Sequence, residues 1–356
     1  MFQENKAQAD LYIKRLFVRA RALASKQIYR PDPEMFAARK KIVDGALPTL
    51  AEIVSKALAA DPLWLPEECE PSFYRSLYPD AASMKGDREV RRHYANTGRD
   101  RGDLASPAAH FLGLSALVEA SRSILEIGPF LNPRFEGSKT KYFEIHSTAA
   151  LRRMAESWGK PRLVKIPDID FVSPDGDLSI VSERFHAVFS CHCLEHVPDI
   201  ISHFQAVSRI LDPGGRYYLV IPDHRFCFDH YAPTAAFREI IKAHRLLQGR
   251  QNRHGLRALY KGKLLATHNE TQRHWLADHC DPDFLKYNFK DRLAELGKTI
   301  AESEGVYLSC HAWQFTPESF RLSIKKAQKL NLIDLDLKRV FNTPCGRAEF
   351  IAVLEK

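Results

Sequence analysis

Five short apolar runs, separated for the most part by segments of helical period, constrain what residues 107–356 can become. The runs are SILEIG (123–128), KYFEI (141–145), PRLVKI (161–166), FHAVFSC (185–191) and RYYLVIP (216–222). Helical patterns occupy residues 108–120, 147–157 and 198–211. Strands that alternate with helices build a parallel sheet covered on both faces, because each crossover helix packs back onto the sheet it left. The expected fold class is therefore α/β. Residues 223–312, rich in His, Arg and Asn, interrupt the alternation and read as a long insertion after the fifth strand. The pattern resumes with a helix (318–330) and two consecutive strands (332–341 and 348–354), which predict a closing antiparallel hairpin.

Three regions divide the chain: a helical region at 1–60, a small helical module at 61–106 and the α/β domain at 107–356. In the first, Ile13, Leu16, Phe17, Ala20, Leu23 and Ala24 recur at helical spacing among Lys14, Arg15, Arg19 and Arg21. Residues 1–60 hold eleven Lys+Arg and six Asp+Glu, so 11 − 6 = +5 of the formal +8 charge sits there. Peripheral contact with a membrane surface is one reading of that helix. Packing on its own protein or on a second subunit is preferred, because Glu4 and Asp10 dilute the charge. Homo-oligomers through these helices are compatible with it. Pro31 and Pro33 break the first helix, and a second spans roughly 34–59. No apolar run approaches the eighteen or so residues that cross a bilayer. The seven Cys form no CxxC pair, which points to reduced thiols in a cytoplasmic setting and against disulfides or a structural zinc. The basic residues are scattered without interleaved aromatics, so no nucleic-acid partner is expected.

The chemistry starts at Ile124-Leu125-Glu126-Ile127-Gly128-Pro129. An apolar strand ends in an acid and a glycine, so the chain turns at the strand's carboxyl end, where open parallel sheets bind ligands. Glu144 ends the second strand, sixteen residues after Gly128, and suits a carboxylate that accepts from ribose hydroxyls. A full G-x-G-x-x-G is absent, which counts against a nicotinamide-dependent dehydrogenase.

Residues 182–223, SERFHAVFSCHCLEHVPDIISHFQAVSRILDPGGRYYLVIPD, closely resemble the region after the cofactor turn in class I S-adenosylmethionine-dependent methyltransferases. The matching residues are His192, Leu194, Glu195, His196, Val197 and Asp199, then Leu211, Pro213, Gly214 and Gly215. HAWQFTPESF (311–320) and AEFIAVLEK (348–356) are similar to the end of a bacterial subfamily associated with glycan and polysaccharide biosynthesis. Residues 71–103 resemble a module that accompanies bacterial glycosyltransferases, through Phe73, Tyr74, Tyr78, Pro79, Asp80, His93, Tyr94, Gly98 and Gly102. The sequence departs from that module at Asp103, and Gly98 is the expected helix cap.

The resemblance implies a Rossmann-like class I methyltransferase sheet with S-adenosyl-L-methionine as cofactor. It implies that Gly128 and Pro129 line the methionine end, with Glu126 ordering the amino-group side. Glu144 then holds the ribose and Ile145 the adenine face. Asp170 accepts from the adenine amino group, with Asp168 as its competitor and Phe171 packing nearby. Ser190 and His192 line the cleft beside the transferable methyl. The turn departs from the family's glycine-rich pattern, because only Gly128 of its glycines survives in Glu126-Ile127-Gly128-Pro129-Phe130-Leu131-Asn132-Pro133. Every cofactor motif lies after residue 122, so deletion to about residue 106 is expected to leave a folded domain that binds the cofactor.

The insertion emerges at the ligand-binding edge and is expected to build the acceptor pocket. It carries His224, Phe228, Asp229, His230, Tyr231, His268, His274, Trp275 and His279, with His311 just before the core resumes. A sugar hydroxyl is a weak nucleophile and needs a base near neutral pH, which His supplies. His224 is the expected base, since His192 belongs to the wall that holds the cofactor. No metal is expected, because His192 and His196 straddle a strand-to-helix turn rather than sharing a helix face. The expected activity is O-methylation of a sugar or glycan intermediate of surface polysaccharide biosynthesis. The alternatives are a methyltransferase of a small secondary metabolite and a non-catalytic glycan-assembly subunit that keeps the fold.

Overall fold

The computed structural model describes residues 11–18, 20, 32–159, 165–247, 254–278, 289–303 and 307–356. Seven strands form one sheet: β1 (Ile124–Ile127), β2 (Thr140–Glu144), β3 (Phe171–Val172), β4 (Phe185–Cys191), β5 (Leu211–Pro222), β6 (Asp336–Phe341) and β7 (Glu349–Glu355). Their order is β3-β2-β1-β4-β5-β7-β6. The first five are parallel, and β7 runs antiparallel to both β5 and β6, so the expected hairpin closes the sheet. The chain builds outward from β1 to β3, then returns to place β4 on the other side of β1. That reversal opens a crevice above the carboxyl ends of β1 and β4, where Gly128 and His192 lie.

The third strand differs from the expected one at 161–166. Residues 161–164 lie outside the described residues, and Lys165 and Ile166 are not in a strand. Pro167 follows and has no N–H to give a ladder. The chain joins the sheet only at Phe171–Val172, which pair with Phe143 and Glu144.

Alternation along the central strands supplies two cores. Val188, Tyr217, Leu219, Ile221, Phe350, Ala352 and Leu354 face helices α5 (Ile200–Ile210) and α9 (Pro317–Lys329). Ala187, Phe189, Tyr218, Val220, Ile351 and Val353 face the opposite way. The helices over that second face are α1 (Pro33–Ala46), α2 (Leu50–Ala60) and α3 (Phe111–Glu119), through Phe36, Val43, Leu50, Val54, Leu114 and Leu117. Asp32 caps α1 by accepting from the Glu34 N–H, and Pro33 occupies its first turn. A 3₁₀ turn at Leu47–Thr49 carries Pro48 and separates α1 from α2, so the single helix expected at 34–59 is two. Further helices include α4 (Thr148–Ser157) after β2 and, in the insertion, α6 (Phe237–Leu247), α7 (Leu256–Leu264) and α8 (Phe289–Glu302).

The module at 71–103 folds around Tyr74, Tyr78, Ala81, Val90 and Tyr94. Asp103, its point of departure from the resembled pattern, is its polar hub: it accepts from Tyr74 Oη at 2.6 Å and pairs with Arg39 at 3.2 Å and Arg101 at 2.9 Å. The left-handed cap is Gly102 (φ +69°), whereas Gly98 is helical and lies against the Tyr74 hydroxyl. The helical stretch 11–18 packs on the insertion: Leu16, with Ala20, meets Tyr231, Ala232 and Leu265. Its apolar face is thus covered by its own chain. Among the described residues no helix is long and apolar enough to cross a membrane.

This packing changes what truncation should do. Arg347 reaches Asp44 at 2.6 Å, and the Cys345 N–H donates to Gly102 O at 2.7 Å, so the N-terminal helices are sewn to the β6–β7 turn. A 107–356 fragment would lose Phe36, Val43, Leu50 and Val54 from the core over the second sheet face, and it should aggregate or melt without cooperativity. Size-exclusion chromatography and thermal denaturation check this. A monodisperse fragment that melts cooperatively and binds S-adenosylhomocysteine would overturn it.

Candidate active site

The carboxyl ends of β1 and β2 form one wall. Glu126 is buried, and its carboxylate accepts from the Arg134 N–H at 2.9 and 3.0 Å and from the Phe135 N–H at 3.2 Å. Burial pushes its carboxyl up to about 7 against the lowering effect of those bonds. Glu126 therefore shapes the 128–135 turn rather than pointing its oxygens into the crevice. Gly128 takes φ +70°, and a Cβ there would lie 2.2 Å from Cys193 Sγ, so the turn fits closely against the β4 loop only with glycine. Phe130 follows at φ +48°. Glu144 is buried at the end of β2 and accepts from Ile145 N–H at 2.7 Å and Phe130 N–H at 3.2 Å. Burial raises its carboxyl above the usual range. Glu126, Gly128, Pro129, Glu144 and Ile145 are thus gathered in one place.

The opposite wall comes from the end of β4 and from the insertion. His192 leaves β4 at φ +52° and places Nε2 3.2 Å from Glu349 Oε1. Glu195 and His196 lie on a single 3₁₀ turn, Leu194–His196. Segment 307–313 is laced to that turn: Ala312 N–H donates to Glu195 O at 2.8 Å, Tyr307 Oη to His196 O at 2.9 Å and Trp313 Nε1 to Val197 O at 2.6 Å. His311 is thereby fixed beside Glu195, and its Nδ1 meets Asp229 Oδ2 at 2.5 Å. Burial works against charge on His311, yet the Asp229 hydrogen bond and the Asp229 and Glu195 charges hold its pKa above the usual value. His224 follows β5, with its N–H on Phe315 O and its Nε2 3.1 Å from Thr234 Oγ1. Its Nδ1 is buried and has no hydrogen-bond partner. Burial holds the His224 pKa below its usual value.

Several expected site residues sit elsewhere. The Asp170 carboxylate accepts from Tyr142 N–H at 2.9 Å, two residues short of Glu144, because the third strand begins only at Phe171. Asp170 and Phe171 therefore lie short of the carboxyl end of β2, and the acids that follow β3 are Asp175 and Asp177. Asp168 is exposed and pairs with Arg152 at 3.3 Å. Ser190 turns into the core, where its hydroxyl meets Tyr217 Oη at 2.8 Å, and that phenol meets His203 Nε2 at 2.9 Å. Strand parity places Ser190 on the face of Val188, away from the cleft. The cap of α5 is Asp199, which accepts from Ile201 and Ser202 N–H at 3.1 Å. Trp275 stacks on Phe226 at 3.8 Å and donates to Arg347 O, and His268 stacks on His274 at 4.2 Å, so these rings hold the insertion together. His279 lies outside the described residues.

Sequence reading missed Arg134, Glu349 and the pairing of Asp229 with His311. The Arg134 guanidinium lies 4.0 Å from Cys191 Sγ and over the Phe111 ring, placing an exposed cation beside the ends of β1 and β4. No motif announced it. Asp229 and His311 are 82 residues apart in the chain.

Residues 136–219, from β2 into β5, match a family model described as a methyltransferase domain. The matched segment supplies β2, β3, β4 and part of β5 of the seven-stranded sheet. No curated protein matches the chain. Among solved structures, it is similar to the CcbJ methyltransferase from Streptomyces caelestis, at 17% identity over 32% of this chain and 50% of that one, with a TM-score of 0.23. It is also similar to an S-adenosylmethionine-dependent methyltransferase from Clostridium acetobutylicum, at 16% identity over 32% and 47%, with a TM-score of 0.22. The match to an O-methyltransferase from Bacillus cereus in complex with SAH has 11% identity, 81% and 100% coverage and a TM-score of 0.28. The chain spans about half the length of the first two.

Proposed function

We propose that the protein methylates a hydroxyl of a sugar or glycan intermediate, with S-adenosylmethionine as donor. The observation that carries the reading is Glu144, buried at the carboxyl end of β2 beside the Gly128 turn with lone pairs to spare; His224, just past the carboxyl end of β5 with an uncommitted ring nitrogen, is the base we assign to it. The residues present fit the cofactor. Glu144 uses two of its roughly four lone-pair positions on backbone N–H groups, which leaves acceptors for a ribose diol. Gly128 keeps the turn close to the β4 loop, and Arg134 would be the cation available to the cofactor's carboxylate. When bound, S-adenosylmethionine supplies a methyl group on a sulfonium, and S-adenosylhomocysteine leaves.

The chain's own part is alignment and proton handling. Glu144 and the Gly128 turn would hold the cofactor, whose sulfonium methyl would be the group given to the acceptor oxygen. The acceptor's proton passes to His224 Nδ1. In the tautomer that donates from Nε2 to Thr234, Nδ1 is free to accept. A base suits a hydroxyl, because its oxygen is a poor nucleophile until the proton leaves. Orientation within the crevice supplies much of the remaining rate. The sugar class is supported by the resemblance of 71–103 and of the chain's final segments to polysaccharide-enzyme sequences.

Calorimetry with S-adenosylmethionine and S-adenosylhomocysteine should give one equivalent bound. A screen of nucleotide sugars and oligosaccharides with a labelled methyl group should then find an acceptor. Absence of binding to either cofactor form would sink the proposal.

A further inference from the structure

We infer that Glu195, His196 and His311 form a binding site for a divalent transition-metal cation. Glu195 is fully buried, and neither of its carboxylate oxygens has a hydrogen-bond partner. Such a group is rare in a folded protein, because its lost hydration has to be made good by a donor or a cation. The groups around it are imidazoles. His311 Nε2 lies 3.8 Å and His196 Nε2 3.9 Å from Glu195 Oε1, and His192 Nδ1 lies 3.6 Å from the same oxygen. These separations are too long for hydrogen bonds. One ligand atom from each of Glu195, His196 and His311 lies within 4.8 Å of the others, a spacing that small side-chain rotations would close around an ion. Bonds of about 2.1 Å are typical of zinc with imidazole or carboxylate ligands.

The outer contacts are those of a metal centre. His311 has its far nitrogen on the Asp229 carboxylate at 2.5 Å, and His196 has its far nitrogen on Ser309 Oγ at 3.0 Å. Each bond fixes its ring with Nε2 facing Glu195, and a carboxylate behind an imidazole raises its strength as a ligand. Two imidazoles and one carboxylate favour Mn²⁺, Co²⁺ or Zn²⁺ over Ca²⁺ or Mg²⁺, which prefer oxygen. Three protein ligands leave coordination positions for an outside oxygen. The expectation of no metal considered only His192 and His196, which straddle a strand-to-helix turn. The structure instead joins the 3₁₀ turn at 194–196 to a histidine more than a hundred residues later.

The triad lies beyond β4, beside His192, on the acceptor side of the crevice. If the methyl-transfer reading holds, the open positions would take the acceptor's hydroxyl oxygens and set their orientation. Cation binding itself does not depend on that reading.

The test uses the full chain, stripped with a chelator and titrated without cofactor or acceptor. Mn²⁺ is followed by paramagnetic resonance, Co²⁺ by visible absorption, and Zn²⁺ and Mg²⁺ by calorimetry. One equivalent of Mn²⁺, Co²⁺ or Zn²⁺ is expected, bound more tightly than Mg²⁺. Asp229→Asn should weaken binding by roughly 10- to 100-fold. Glu195→Gln and His311→Ala should weaken it further. His196→Ala, at a partly exposed position, serves if either of those fails to fold. No binding by the wild-type chain at millimolar ion, or binding that the ligand variants leave unchanged, would overturn the proposal. Preference for Mg²⁺ would overturn the choice of cation. Calorimetry with S-adenosylhomocysteine on the same sample separates the readings, since loss of cofactor binding with the metal retained would count against methyl transfer alone.

Discussion

His224→Ala should lower turnover on the order of a hundredfold or more, the usual contribution of a positioned general base, with S-adenosylhomocysteine affinity within about twofold of wild type. The reason lies in how the ring is held. Its backbone N–H is pinned to Phe315 O, and Nε2 to Thr234 Oγ1, so the imidazole has one orientation and one free nitrogen. Burial favours the neutral ring and lowers its pKa, the form a base must take before the proton arrives. The pH dependence follows with a definite sign. Activity should persist below the usual histidine range and fall only as pH drops through the lowered His224 value. That acid limb should be absent from the variant's residual rate. Steady-state rates at saturating acceptor across pH, beside cofactor titrations, decide the matter. Near-normal turnover would remove His224 as the base.

Much of the architecture was legible because the sheet's core strands are apolar runs that no helix could use so economically. The hairpin followed from two strands with no helix between them. The covering of the second sheet face was not legible, although a clue was present. Residues 128–139, which separate β1 from β2, carry Gly128, Pro129, Pro133 and Gly137 and form no crossover helix. That face therefore needed helices from elsewhere, and α1 and α2 supply them. Helical period pointed to helices in the first sixty residues, but period does not say what a helix packs on. Ser190 was recoverable from strand alternation with Val188, and the parity rule outranks its position near the strand end. Asp170 was not recoverable, because a two-residue strand leaves no period to read. The Glu195 cluster shows the same limit at longer range: HCLEH announces three of its members, while His311 and Asp229 meet them only through the fold.

Glu144 carries the prediction that bears most directly on the cofactor. Glu144→Ala should weaken S-adenosylhomocysteine binding by roughly ten- to a hundredfold, since charge-assisted hydrogen bonds to the ribose diol are lost. The substitution also frees the Phe130 and Ile145 N–H groups, so a weaker complex alone would not separate lost ribose contact from a relaxed turn. An analogue of the ligand without its 2′-hydroxyl makes the distinction. Wild type should bind that analogue less well than S-adenosylhomocysteine, whereas Glu144→Ala should bind the two almost equally, the signature of a shared contact in a double cycle. Glu144→Gln keeps one acceptor oxygen without the charge and should fall between. The pH trend has a sign as well. Burial raises the Glu144 carboxyl, so acidification should protonate it at a higher pH than an ordinary glutamate and weaken binding there. Equal discrimination between the two ligands in wild type and Glu144→Ala, with both proteins folded, would take Glu144 out of the ribose site and leave it as a clamp on the 128–135 turn.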